Sequence, residues 1–134
     1  MTNILFLCKW NRFRSKIAEA IFNKLNKSKI QKAKSAGIFP GLPISKEIFD
    51  TCKKMGYSIT KKVNGINYRL LMWSDIIIVI ENSIPLSIFN EIIKNDKKRV
   101  IIWRIADPYT INKREATIKV IEKRVKSLIK KMKK

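Results

Sequence analysis

A run of five aliphatic residues, from Ile76 to Ile80, constrains the fold of this chain more than any other feature of its sequence. A strand that is apolar at every position has both faces buried, which is the situation of a central strand in a parallel sheet covered by helices. The run is far shorter than the roughly 20 apolar residues that a membrane-spanning helix needs. It therefore predicts the centre of an α/β fold and no membrane segment.

Strand and helix patterns alternate along the rest of the chain. Three further strands are predicted, from Thr2 to Leu7, from Gln31 to Ser35 and from Arg99 to Trp103. Apolar residues at helical spacing predict five helices, which begin near Ser15, Ser45, Tyr68, Pro85 and Asn112. Asn112, followed three residues later by Glu115, has the pattern of a capped helix start. Such alternation gives right-handed βαβ units, and the predicted fold is a three-layer α/β fold with a four-stranded parallel sheet flanked by helices.

Length and residue usage limit the chemistry of the chain. Residues 1–134 are predicted to form a single domain, because two domains from 134 residues would each be too small to bury a good core. Histidine is absent from the sequence, which excludes Ser-His-Asp catalysis, Cys-His catalysis and histidine metal sites. The two cysteines, Cys8 and Cys52, are too few for a zinc knuckle or a disulfide framework. An enzyme built from this sequence must use cysteine, carboxylate, basic, hydroxyl or phenol side chains.

The segment from Cys8 to Ser15 concentrates reactive side chains between the first strand and the first helix. Parallel sheets bind ligands beyond the carboxyl ends of their strands, and a loop at a helix N-terminus can direct backbone N–H groups at an anion. Arg14 can fork onto two oxygens of a tetrahedral oxyanion. The same positive field favours the nucleophilic thiolate form of Cys8, and Ser15 can donate a hydrogen bond to that thiolate. The loop therefore combines a nucleophile with an anion cradle.

This segment resembles the Cys-x5-Arg-Ser signature of the low-molecular-weight protein tyrosine phosphatases and the related thioredoxin-coupled arsenate reductases. The resemblance extends over nearly the whole chain and includes three further motifs in the family's order. These motifs are Ile17-Ala18-Glu19-Ala20, Ser35-Ala36-Gly37 and Asp107-Pro108-Tyr109.

The resemblance implies a role for individual residues of the predicted site. Cys8 would be the nucleophile, Arg14 would hold the phosphoryl oxygens and Asp107 would be the general acid. The implied supports of the loop are Asn11, Ser15 and Ser35. The implied phosphate- and substrate-binding residues are Lys9, Trp10, Asn11, Arg12, Phe13, Arg14, Ser15 and Tyr109.

Asp107 is also a candidate from its position alone. It follows the carboxyl end of the fourth predicted strand, at the same edge of the sheet as Cys8, and Pro108 stiffens its loop. A carboxylic acid at that edge can protonate a leaving oxygen and then activate water.

The activity implied is a cysteine-dependent phosphomonoester hydrolase, in the first place a protein-tyrosine phosphatase that forms a cysteinyl-phosphate intermediate and needs no metal or organic cofactor. Its expected partners are a phosphotyrosine protein or a small aryl or alkyl phosphate, with inorganic phosphate or sulfate in the loop. A cytoplasmic location is expected, because no targeting segment is visible and free thiols persist there.

The loop departs from the family pattern at several positions. Trp10 replaces the usual glycine, so either the loop backbone or its rim must differ. Phe13 replaces the cysteine that serves as a redox partner in relatives. Lys9 and Arg12 stand where apolar cleft residues are common, which makes the mouth more cationic.

Other interpretations of the same residues remain open at this stage. Arsenate reductase uses a similar oxyanion cradle but requires resolving cysteines, and none follows Cys52. A catalytically weak phosphate- or polyanion-binding module is a second alternative, since the net charge of +20 favours non-specific polyanion binding. Structural alternatives are a buried thiol at Cys8, a turn residue at Asp107 and a core-covering ring at Tyr109. Cys52 has the helical spacing of a core residue.

Overall fold

The computed structural model of the chain describes residues 2–28, 30–81, 87 and 99–132. Four strands lie within these residues: β1 is Thr2–Cys8, β2 is Gln31–Gly37, β3 is Ile76–Ile80 and β4 is Arg99–Trp103. All of them pair in parallel, in the order β2-β1-β3-β4. The predicted four-stranded parallel sheet is confirmed.

The strand order places a ligand-binding crevice at the end of β1. From β1 the chain crosses to β2 on one side of it and later to β3 on the other side. A parallel sheet opens a crevice at such a switch point, outside the carboxyl ends of its strands. Cys8 ends β1 opposite Gly37 of β2, and Ile80 ends β3 opposite Trp103 of β4. The last residues of all four strands therefore lie along one edge of the sheet.

Four helices are described, with bounds close to those expected from the apolar pattern. They are α1 (Arg14–Leu25), α2 (Lys46–Lys54), α3 (Tyr68–Trp73) and α4 (Ile111–Met132). The Ser45 hydroxyl caps α2 by accepting a hydrogen bond from the Ile48 N–H at 3.4 Å, as its position predicts. The helix predicted from Pro85 lies outside the described residues. No helix in the described part of the chain is long and apolar enough to cross a membrane.

The predicted cap of the last helix is wrong by two residues. The helix begins at Ile111, and the hydroxyl of Thr110 accepts a hydrogen bond from the Lys113 N–H at 3.3 Å. Asn112 is therefore inside the first turn. Glu115 instead forms an ion pair with Lys54 of α2, with 2.8 Å between Nζ and Oε1.

The sheet is covered on both faces, which is why β3 is apolar throughout. Ile78 and Ile80 join a core cluster that includes residues of α1, α2 and α4, whereas Ile77 and Val79 join a second cluster that includes Leu70 of α3. These four residues of β3 are at most 2% exposed. The interpretation of this run as a central strand is confirmed, and the rigid sheet fixes the positions of the strand ends.

Candidate active site

The loop between β1 and α1 curls over the end of β2. Gly37 makes this approach possible, because a Cβ built on it would lie 2.7 Å from the backbone carbon of Trp10 and 2.8 Å from the backbone nitrogen of Asn11. Asn11 has a left-handed backbone with φ of 54°, a conformation that asparagine tolerates better than most residues. Gly37 thus allows the loop to lie close against the sheet edge, and Asn11 provides the left-handed turn of its backbone.

The thiol of Cys8 lies buried under this loop with two hydrogen-bonding groups around it. Its Sγ is 3.0 Å from the Oγ of Ser15, and it accepts a hydrogen bond from the Asn11 N–H at 3.2 Å. Helix α1 begins at Arg14, and no side chain caps its first N–H groups. Uncapped N–H groups at a helix start attract an anion. The surroundings of Cys8 can therefore stabilise a thiolate and an oxyanion beside it.

Asn11 connects Cys8 to a chain of buried polar side chains. Its Nδ2 donates to the Oγ of Ser15 at 2.8 Å and to the Oγ of Ser35 at 3.1 Å, and its Oδ1 accepts from the Asn64 N–H at 2.8 Å. The Ser35 hydroxyl donates to Oε1 of Glu19 at 2.8 Å. Burial raises the pKa of Glu19 above its usual value, and the hydrogen bond from Ser35 opposes that rise. The structure thus brings the three predicted loop supports together, and it adds Glu19 and Asn64, which the sequence analysis had not assigned.

Arg14 is buried and held by two protein groups. Its side chain is 1% exposed, its Nη1 donates to the Ile105 carbonyl at 2.8 Å, and its Nη2 donates to Oε2 of Glu81 at 2.8 Å. Its Nε has no hydrogen-bond partner within the described residues and lies 3.6 Å from Oδ1 of Asp107. The structure therefore brings the predicted anion-binding guanidinium next to the predicted general acid.

Glu81 was missed by the sequence analysis. It follows the last residue of β3, and its side chain is 4% exposed in the ion pair with Arg14. A buried guanidinium needs a charged or strongly polar partner. The signal available in the sequence was its position, since a carboxylate directly after a buried parallel strand lies at the same edge as Cys8.

A cavity of about 320 Å³ opens over Cys8. Most of the predicted site residues line it, namely Cys8, Trp10, Arg12, Phe13, Arg14, Asp107 and Tyr109. Residues without an assigned role also line it, namely Leu42, Ser45, Ile48, Pro108 and Arg114. Asn11, in the loop, and Ser15, in the first turn of α1, are fully buried and do not line the cavity. Lys9 does not line it either, because its ammonium lies over the face of the Trp10 ring, 4.9 Å from the ring centre.

Trp10 changes the rim of the cavity and leaves the turn of the loop to Asn11. Within the described part of the chain, Asn11 is the only residue other than glycine with a positive φ, so Trp10 fits without left-handed strain. The Trp10 ring lies 6.4 Å from the ring of the exposed Phe39. Trp10, which stands where the resemblance implies a glycine, therefore adds an aromatic wall to the rim of the cavity.

Lys16 is a second buried cation that the sequence analysis missed. It lies in the first turn of α1 with 1% exposure, and its Nζ donates to the Thr60 hydroxyl at 2.6 Å and to the Lys62 carbonyl. Burial lowers the pKa of Lys16, and the nearby charges of Glu19 and Cys8 act in the opposite direction. A lysine on a helix is usually solvated, so nothing in the spacing indicated this position.

Comparisons with known proteins agree with this architecture. Residues 3–134 match the sequence profile of the family described as low molecular weight phosphotyrosine protein phosphatase. A low molecular weight protein tyrosine phosphatase from T. tengcongensis is 27% identical with a TM-score of 0.82, and the match covers 98% of this chain and 99% of that one. An arsenate reductase from Archaeoglobus fulgidus is 27% identical with a TM-score of 0.73, covering 94% and 98% of the two chains.

A third solved structure is similar in fold alone. The YwlE arginine phosphatase from Geobacillus stearothermophilus is 20% identical with a TM-score of 0.85, and the match covers 99% of this chain and 94% of that chain. A search of curated protein sequences gives no match. The fold is therefore shared by proteins named for three different reactions.

Proposed function

The chain belongs to the low molecular weight phosphotyrosine protein phosphatase family, and on that premise we propose that it hydrolyses phosphotyrosine through a cysteinyl-phosphate intermediate. The observation that carries this proposal is the grouping of Cys8, Arg14 and Asp107 around one cavity. A nucleophile, an anion-binding cation and an acid that surround one cavity are the groups that a phosphomonoester transfer requires.

In the first step, the Cys8 thiolate attacks phosphorus. An S–P bond forms while the bond from phosphorus to the phenolic oxygen breaks, and the Asp107 carboxylic acid gives its proton to that oxygen. Arg14 has five N–H donors, and its bonds to Ile105 and Glu81 use two of them. The remaining donors, which include the buried Nε, would donate hydrogen bonds to the equatorial phosphoryl oxygens as negative charge develops on them.

In the second step, water hydrolyses the cysteinyl phosphate. The Asp107 carboxylate takes a proton from the water as its oxygen attacks phosphorus, the S–P bond breaks and inorganic phosphate leaves. The electron pair returns to sulfur, where the hydrogen bonds from Ser15 and the Asn11 N–H stabilise the thiolate as a leaving group. The residues of the site account for every proton and electron pair in this cycle.

The position of Cys52 argues against the arsenate reductase alternative. A reductase needs a second thiol that can attack a cysteine adduct, and the thiolate is the attacking form. Cys52 is fully buried, and burial raises its pKa to about 12. At neutral pH this thiol is neutral and inaccessible, which favours hydrolysis over reduction.

Turnover of an aryl phosphate in the presence of EDTA tests the proposal. We expect the wild-type protein to release phosphate without added metal and the Cys8→Ser variant to release none. Trapping with a radiolabelled phosphotyrosyl peptide followed by acid quench should show label on Cys8 in the wild-type protein. Absence of turnover by the wild-type protein would favour the alternative function, a catalytically weak phosphate-binding module.

A further inference from the structure

A third arginine, Arg114, lines the same cavity as Cys8 in addition to Arg12 and Arg14. It lies in the first turn of α4, and its side chain is 15% exposed. Its Nη1 is buried without a hydrogen-bond partner within the described residues. A buried donor that lacks a partner destabilises the protein, and the cost is larger for a charged group. An anion placed in the cavity would relieve that cost.

The contact between Arg114 and Glu47 does not satisfy this guanidinium. Oε2 of Glu47 lies 3.7 Å from Nη1 of Arg114, too far for a hydrogen bond, and the Glu47 side chain is 70% exposed. An ion pair with a solvent-exposed partner is weak. A better-placed carboxylate can therefore displace Glu47.

Arg12 adds a positive charge to the lining of the cavity beside that of Arg114. Its Nε donates to the Pro43 carbonyl at 2.8 Å, which ties the side chain to the loop before α2. That bond uses one of the five donors of a guanidinium. Both cations are distinct from Arg14, which the proposed mechanism assigns to the transferred phosphoryl group.

We propose that Arg12 and Arg114 bind an acidic side chain next to the phosphotyrosine, so that the preferred substrates are acidic phosphotyrosyl polypeptides. This inference rests on the proposed function, because it concerns the flank of the same substrate. Tyr109 and Leu42 also line the cavity and are exposed apolar side chains. They offer surface for the backbone and side chains of a polypeptide, which a small ester lacks.

The same charges disfavour two other substrate types. A peptide with lysine or arginine beside the phosphotyrosine would place like charges together in a cleft, where repulsion is strong. A phosphate carried on an arginine would bring a further guanidinium into a cavity that Arg12 and Arg114 already line. Acidic residues beside the phosphotyrosine therefore complement the positive charges of Arg12 and Arg114.

Two phosphotyrosyl peptides that differ only in their flanks test the inference, one with glutamates and one with glutamines at the adjacent positions. The readout is the ratio of their kcat/KM values, so any overall change in activity or folding cancels. We expect the wild-type protein to prefer the acidic peptide by roughly three- to tenfold, the size of a partly buried charge-assisted contact. Arg114→Gln should reduce the ratio, and the double variant Arg12→Gln/Arg114→Gln should bring it to near one.

Matched variants separate a binding role from a structural one. Arg124→Gln removes the same charge from an exposed position on α4 outside this cavity and should leave the ratio unchanged. Glu47→Gln removes the carboxylate nearest to Arg114 and should raise the ratio, which a merely structural arginine would not produce. The preference should also fall as ionic strength rises.

The outcomes distinguish this inference from the proposed function. Hydrolysis of both peptides with a ratio near one in the wild-type protein, or a ratio that Arg114→Gln leaves unchanged, would overturn the inference alone. Absence of hydrolysis of both peptides would overturn the proposed function and the inference together.

Discussion

The hydroxyl of Ser15 lies 3.0 Å from the sulfur of Cys8 and accepts a hydrogen bond from Nδ2 of Asn11 at 2.8 Å. Asn11 occupies one of the two lone pairs of that oxygen, and the hydroxyl proton of Ser15 is free to turn toward sulfur when Cys8 is a thiolate. The serine can therefore donate to the thiolate form of Cys8. Its orientation depends on Asn11, which Ser35 and Asn64 hold in turn.

Cys8→Ser should abolish turnover and keep the affinity for phosphate or tungstate. The backbone N–H groups and Arg14 remain in this variant, but a serine hydroxyl stays protonated at neutral pH and is a poor nucleophile. Isothermal titration with the oxyanion and a phosphate-release assay measure the two properties separately. Appreciable residual turnover would exclude a covalent cysteine mechanism.

Arg14→Lys should weaken both oxyanion binding and turnover. An ammonium cannot contact Ile105, Glu81 and a phosphoryl group in the planar geometry of a guanidinium. Loss of one or two charge-assisted hydrogen bonds corresponds to a decrease in kcat/KM of roughly 10- to 100-fold or more. Steady-state kinetics on an aryl phosphate provide the measurement, with Arg124→Lys on α4 as the matched control. Kinetics equal to wild type would place the phosphate somewhere other than this loop.

Asp107→Ala should lower the rate by roughly 10²–10⁴, the usual effect of losing a general acid–base group. The loss should be larger for esters with poor leaving groups, because these depend most on protonation of the departing oxygen. A series of aryl phosphates with different phenol acidities tests this dependence, and Asp107→Asn keeps the shape of the side chain for comparison. If good and poor leaving groups suffer equally, Asp107 has a structural role and another acid donates the proton.

Oxidation and alkylation should separate the two thiols. Peroxide should inactivate the protein at Cys8 without producing a Cys8–Cys52 disulfide, and arsenate should inhibit rather than be reduced. Since burial raises the pKa of Cys52 to about 12, iodoacetamide should spare Cys52 in the folded protein at pH 8 and modify it after unfolding. Non-reducing mass spectrometry reads both outcomes, and a Cys8–Cys52 bridge at high yield would contradict them.

Glu19 should make the stability of the protein fall as the pH rises from about 4.5. Its folded-state pKa is raised, mainly by burial, above the ordinary value of 4.5. Below that value both states are protonated, whereas at higher pH the unfolded state loses its proton first and gains stability. The free energy of unfolding of Glu19→Gln, measured by urea denaturation, should therefore improve relative to wild type between pH 4 and pH 7.

The control for this measurement is Asp50→Asn, which removes an exposed carboxylate from α2. It should show little change relative to wild type between the two pH values. A Glu19→Gln effect no larger than this control would show that Glu19 does not carry the pH dependence.

The sheet and the position of the site were predictable because they depend on local patterns. The apolar residues of β3 required two covered faces, and a cysteine directly after β1 had to lie at the carboxyl edge. The partners of Glu81 and Lys16 were not predictable in this way. Charged residues at a strand end or on a helix are usually solvated. Only the folded structure shows that Glu81 is buried against Arg14 and that Lys16 is buried with its ammonium donating to Thr60. The cap at Thr110 was missed because Asn112 offered an equally good local pattern.

The order of strands in the sheet distributes the site over the whole chain. In the order of the strands from β2 to β4, the site residues are Ser35, Cys8, Glu81 and Asp107. Ser35 lies two residues before the end of β2, and each of the others lies at or beyond the end of its own strand. Neighbours along this edge are separated by as many as 73 residues of sequence, the interval from Cys8 to Glu81. No contiguous fragment shorter than Cys8 to Asp107 contains the complete set. The proposed catalytic set is therefore complete only when all four strands are paired, and a fragment that ends before Asp107 would lack the proposed general acid.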